Sequence, residues 1–238
     1  MCEDHRHYLS RRRLLADGAA ATFMGGLALP AAAQQKQPAA APNAISPDDA
    51  LKRIMDGNRR YVANATRSKD FSAGRAARAA AQYPIAAVLS CADSRVVPEL
   101  IFDQGPGDLF IIRGAGNFVD NDGLASLEYG VKFLGTPLIM VLGHSGCGAV
   151  TEAVKVVEEK LALPGHLAGL VDAIKPAVLM AKKAKAKNLI DEAIADNVRY
   201  NVRKLQKAKP IINGFVRSGK VKVIGGVYDI ATDKVTLL

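Results

Sequence analysis

Four short apolar runs, at residues 85–90, 109–113, 138–142 and 221–227, constrain this chain more than any other feature. The first three are continuous rather than alternating, the pattern of strands covered on both faces. Helical patterns at 122–134, 149–161 and 170–207 separate the runs, with breaks expected at Pro176 and near Asn188. Strands alternating with helices predict an α/β fold, a mostly parallel central β-sheet flanked by helices. Ahead of the sheet, Ser46-Pro47-Asp48-Asp49 is a helix start: serine as N-cap, proline at the first position, acids in the first turn. It predicts an N-terminal helical arm over 46–62, and a second helical stretch covers 72–82. With 238 residues, 49% of them hydrophobic, the chain can bury one sizeable core. One domain over 46–238 is expected, without internal repeats.

The net charge of +9 is dispersed along the chain. Its densest run, Lys182-Lys183-Ala184-Lys185-Ala186-Lys187, lies in an alanine-rich helical pattern and reads as a solvated face. Aromatic residues make up 5% and do not interleave with it, so no nucleic-acid partner is expected. Near the start, Ser10-Arg11-Arg12-Arg13-Leu14-Leu15 resembles a twin-arginine export signal. A weakly apolar stretch over 14–29 follows, and Pro30-Ala31-Ala32-Ala33 offers a cleavage site before Gln34. Asp17 and three glycines make that stretch a poor membrane span. The expectation is a signal peptide over 1–33, a Pro/Ala/Gln-rich flexible linker over 34–45, and a periplasmic mature protein without stable membrane insertion.

The rare residues gather at two strand ends. Cys91-Ala92-Asp93-Ser94-Arg95 follows the first run and His144-Ser145-Gly146-Cys147 follows the third. Beyond the first ten residues these segments hold the only two cysteines and one of two histidines. Sites in open α/β sheets form at the carboxyl ends of strands, which places both segments on one edge. Two thiolates and an imidazole suit Zn²⁺, and three protein ligands leave a fourth position open, as in catalytic sites. A disulfide is the alternative in an oxidising compartment. The neighbouring His144 and Asp93 favour metal. A helix beginning near Ala149 would stabilise Cys147 as thiolate.

At these residues the sequence resembles the β-class carbonic anhydrases, whose paired motifs C-x-D-x-R and H-x-x-C stand here in order. Between them, Pro106-Gly107-Asp108-Leu109-Phe110, Arg113-Gly114-Ala115-Gly116-Asn117 and Ser126-Leu127-Glu128-Tyr129 follow the family's pattern. Gly226-Val227-Tyr228-Asp229 resembles its final strand. The likeness covers about residue 46 to the end. It implies reversible hydration of CO₂ to bicarbonate and a proton by zinc-bound hydroxide, with one Zn²⁺ per subunit on Cys91, His144 and Cys147. It implies a homodimer or larger homo-oligomer, with pockets at the subunit interface and the helical arm around the partner.

Within that resemblance Asp93 accepts a hydrogen bond from the attacking oxygen and Arg95 orients Asp93. Asp93 can itself become a fourth ligand in a closed state. Likeness to the plant-type subgroup offers Gln82 as a donor to bicarbonate, and Phe110, Ala115 and Tyr129 as pocket walls. Val88 stands where the other subgroup places the tryptophan of an inhibitory bicarbonate site, so that regulation is not expected. Glycines at 114 and 116 depart from the family's R-N-x-A-N and predict a permissive loop with a wider pocket. His166 reads as a surface loop residue, with a proton shuttle as the alternative. Ser145 lacks the elbow and free base of a hydrolase. Two other readings keep the metal site: a COS or CS₂ hydrolase, and a non-catalytic zinc or bicarbonate-binding protein.

Overall fold

The computed structural model describes residues 40–67, 70–72 and 74–238. The expected signal peptide lies outside the described residues, as does the first half of the expected linker. The last part of that linker is not loose. Asn43 is buried, and its Nδ2 donates to the carbonyls of Pro84 (3.1 Å) and Leu134 (2.7 Å). The docked chain therefore begins about three residues before the Ser46 cap.

Five strands form one sheet: β1 (Ala86–Ser90), β2 (Leu109–Arg113), β3 (Leu138–His144), β4 (Lys222–Tyr228) and β5 (Val235–Leu237), in the order β2-β1-β3-β4-β5. The first four are parallel, and β5 pairs antiparallel with β4. Sequence pattern gave no sign of β5, which is three residues long and buries only Val235. Eight helices are described: α1 (Pro47–Val62), α2 (Arg75–Ala80), α3 (Pro98–Ile101), α4 (Asn121–Lys132), α5 (Gly148–Glu159), α6 (Leu167–Lys183), α7 (Leu189–Gln206) and α8 (Ile211–Arg217).

Ser46 caps α1 as expected, its Oγ accepting from the Asp49 N–H at 3.0 Å. α2 is shorter than the predicted 72–82. It buries nothing, and Pro84 biases the residue before it toward extended backbone, so no packing prolongs the helix to Gln82. Pro176 does not break α6. Ile174, Ala177 and Val178 on either side of it are fully buried, and that packing carries the helix through the missing N–H. Asn188 does mark a boundary, as the N-cap of α7, accepting from the N–H groups of Ile190 and Asp191.

The sheet is packed on both faces, as its unbroken apolar strands require. Ala86 and Val88 face a core with Ala50, Ile54, Phe102 and Met140. Ala87 and Leu89 face the opposite core with Leu127, Val141, Val198 and Leu205. Helix α7 lies close on the sheet because two strand glycines leave a notch for Val198: a Cβ on Gly143 or Gly225 would stand 2.6 or 2.5 Å from its methyl groups. A third cluster joins α5, α6 and α7 and includes Cys91 and Cys147. The chain leaves β1 to one side for β2 and crosses back to β3 on the other. The carboxyl ends of β1 and β3 thus bound the sheet's topological switch point.

Candidate metal centre

Cys91 is the first residue after β1, and His144 the last residue of β3. Cys147 follows the turn made by Ser145 and Gly146 and serves as N-cap of α5. Sequence order separates them; strand pairing reunites them, since Ser90 and Leu142 are register partners. One ligand atom from each of the three residues lies within 4.8 Å of the other two. All three side chains are buried, His144 completely.

The donor set fits a soft divalent cation. Both cysteines are free thiols, not a disulfide. His144 Nδ1 lies 3.0 Å from the Ser145 carbonyl, which fixes the tautomer with hydrogen on Nδ1. Nε2 is then left with its lone pair, fully buried and without a hydrogen-bond partner. A buried polar atom in that state demands a partner, and here it faces two sulfurs. The Cys91 thiol is held well below its ordinary value by a hydrogen bond from Cys147, with smaller help from the N–H groups of Gly116 and Asp93, against the opposing effect of burial. The same bond and burial push Cys147 up.

Asp93 sits beside this cluster, its Oδ2 3.9 Å from His144 Nε2. Arg95 grips it with Nε on Oδ1 (2.9 Å) and Nη2 on Oδ2 (2.7 Å), and the Arg95 N–H adds a third bond to Oδ1 (3.0 Å). Those bonds hold the carboxyl far below the usual carboxylate range. Ser145 is fully engaged in structure: its Oγ accepts from Ile230 N–H and its own N–H donates to the Tyr228 carbonyl.

Three groups escaped the sequence reading as parts of this site. Arg113 donates to the carbonyls of Cys91 (3.1 Å), Asp93 (2.7 Å) and Val96 (2.8 Å), pinning the segment that carries the first motif. Gly116 donates to Cys91 Sγ at 3.3 Å. Asn197 and Asn201, both buried, hold the loop containing Gly116. Two asparagines four apart on the apolar face of a helix were the available signal.

The pocket residues are not gathered at the cluster within one subunit. Ala115 is on the loop adjoining Cys91. Phe110 lies three residues before Arg113 on β2, about 10 Å down the strand from the site edge. Tyr129 packs on Phe110 from α4, ring centroids 6.3 Å apart, and is half exposed. Gln82 is exposed in the segment after α2, and His166 is exposed at the start of α6. The expected widening of the loop holds at Gly114, where a Cβ would meet open space. It fails at Gly116, whose missing Cβ is replaced by Ile174 Cδ1, 2.5 Å from where that Cβ would stand.

The family model for carbonic anhydrase matches residues 86–235. The fold matches Coccomyxa beta-carbonic anhydrase in complex with acetazolamide at TM-score 0.60 and 30% identity, covering 79% of this chain and 86% of that one. The chain belongs to the β-class carbonic anhydrases. Among curated relatives, this enzyme is 38% identical to the carbonic anhydrase of Mycolicibacterium smegmatis over 193 residues, 81% of this chain and 93% of that protein. It is 36% identical to carbonic anhydrase 2 of Mycobacterium tuberculosis over the same shares. It also matches the beta-carbonic anhydrase CcaA at TM-score 0.61 and 28% identity, covering 79% of this chain and 94% of that one.

Proposed function

We propose that this carbonic anhydrase hydrates CO₂ reversibly to bicarbonate and a proton, using one zinc ion held by Cys91, His144 and Cys147. The observation that carries the reading is the buried, unpartnered Nε2 of His144 beside two free thiols. Bound zinc supplies the Lewis acidity that makes water a nucleophile near neutral pH. Asp93 stays ionised under the grip of Arg95 and is therefore acceptor-only. Its Oδ2, turned toward the ligand cluster, takes a hydrogen bond from the attacking water and aims the free lone pair at CO₂. The buried sulfurs and apolar residues of the third core keep bulk water from the ligands.

Metal analysis and stopped-flow CO₂ hydration on the purified protein test this reading, with Asp93→Ala alongside. Retained zinc with most activity lost is the expected result for that variant. A non-catalytic zinc protein has no use for the Asp93–Arg95 pair. Sulfide release from COS or CS₂ outrunning CO₂ hydration would reassign the substrate.

The working unit is a homodimer or a larger assembly of dimers with a pocket of the plant type. Support comes from aromatic surface left open on one subunit. Tyr129 stacks between Phe110 and Phe133, and Phe133 is 69% exposed. A second copy covering that aromatic row would carry Phe110, Tyr129 and Gln82 toward the neighbouring metal centre. Residues 1–33 act as a twin-arginine export signal and the mature enzyme works in the periplasm. The Ser10–Leu15 motif and the alanine-rich cleavage site support this. No described helix is long and apolar enough to cross a membrane. Export of the folded chain with residues 1–33 fused to a reporter, blocked by Arg11→Lys/Arg12→Lys, tests it.

A further inference from the structure

One face of α7 presents Asn197, Asn201 and Lys204 in helical register to the loop that follows β2. Asn197 Nδ2 donates to the Gly116 carbonyl at 2.7 Å. Asn201 Oδ1 accepts from Val119 N–H at 2.9 Å, and Lys204 Nζ donates to the Val119 carbonyl at 2.7 Å. Asn201 Nδ2 closes the row onto Asn197, donating to its backbone and side-chain oxygens at 2.9 and 3.2 Å. Asn197 is wholly buried, a costly place for an amide unless its bonds hold something in place.

What it holds is a left-handed glycine beside the metal centre. Gly116 has φ +81 and packs against Ile174 where a side chain would otherwise be. Its N–H points at Cys91 Sγ, 3.3 Å away. Holding the Gly116 carbonyl on one side, with Ile174 packed against its Cα, restrains the φ and ψ that aim the N–H. An N–H directed at a thiolate draws electron density off the sulfur and weakens its donation to a bound metal.

We propose that Asn197, supported by Asn201 and Lys204, is a positioning residue that sets the Gly116 N–H···Sγ bond and so tunes Cys91 as a metal ligand. The inference rests on the zinc site proposed above, and it assigns α7 a part in the chemistry that no residue of the two motifs carries.

Cobalt substitution reads the effect without reference to turnover, because the thiolate-to-cobalt charge-transfer band reports sulfur donation directly. Asn197→Leu keeps the branched shape and removes the donor. It is expected to move that band to longer wavelength, the direction of a more strongly donating sulfur. Ile54→Ala, a fully buried change in α1 in the core on the other face of the sheet, should leave the band in place while lowering stability. Should Asn197→Leu fail to fold, the exposed Lys204→Met decides by the same shift. A band unmoved in the folded variant overturns the positioning role. A wild-type protein with no such band overturns the metal site and this inference with it.

Discussion

Arg95 holds Asp93 by two parallel side-chain bonds, 2.9 Å to Oδ1 and 2.7 Å to Oδ2. Such a fork fixes both the plane and the charge of the carboxylate, which a lysine ammonium cannot do. Arg95→Lys should therefore keep its zinc and lose kcat by roughly 10-fold. Asp93→Ala, which removes the acceptor itself, should lose about 10²-fold or more. Stopped-flow rates set beside metal content check both, and a Lys variant at full kcat would separate the fork from the chemistry.

Gly116 and Ile174 make a second pair that a double-mutant cycle resolves. Gly116→Ala forces a Cβ against Ile174 Cδ1 and places an alanine at φ +81. Overpacking and left-handed strain together should cost at least about 2 kcal/mol, roughly 4–8 °C in Tm for a domain of this size. Ile174→Ala in the same chain should recover the steric part but not the backbone part. Additive losses would show that the two positions do not meet.

Tyr228 predicts an alkaline limb in stability. Burial, then the bond its hydroxyl donates to Asp233 at 2.6 Å, push the phenol above its ordinary value. The fold thus favours the neutral form. Its contribution is complete below the unfolded value near pH 10 and is lost as pH rises from there through the folded value. Tyr228→Phe should cost about 1 kcal/mol at pH 8 and flatten this limb, measured by denaturant unfolding between pH 8 and 11. An equal alkaline loss in the variant would assign the limb to other groups.

The exposed pair of Tyr129 and Phe133, with Phe110 half-buried beneath Tyr129, predicts a link between assembly and activity. Phe133→Asp should shift sedimentation toward the monomer and lower CO₂ hydration in step, with zinc retained. A fully active monomer would place the pocket inside one subunit.

How much of this was readable beforehand depends on how local each signal is. The continuous strands β1 to β3 and the Ser46 cap write their structure into a few adjacent residues. The proposed ligands were legible because Cys91 and His144 stand at the ends of neighbouring strands and Cys147 follows His144 by one short turn. Asn197 and Asn201 were not found, since their partners lie 81 and 82 residues away and an asparagine in an apolar helical face carries no address. The run of α6 through Pro176 and the length of α2 depended on what each helix could bury, which local pattern does not state. Gly116 was read as slack in the loop; Ile174, from a distant helix, fills that space.

The account stands on zinc held by two sulfurs and one imidazole. X-ray absorption at the zinc edge on the purified protein measures that directly. It should give one zinc per chain with two sulfur neighbours near ~2.3 Å and a histidine nitrogen near ~2.0 Å, and Cys147→Ser should lose one of the sulfurs. A folded, metal-free protein with Cys91 and Cys147 joined in a disulfide, or zinc bound without sulfur, would contradict it.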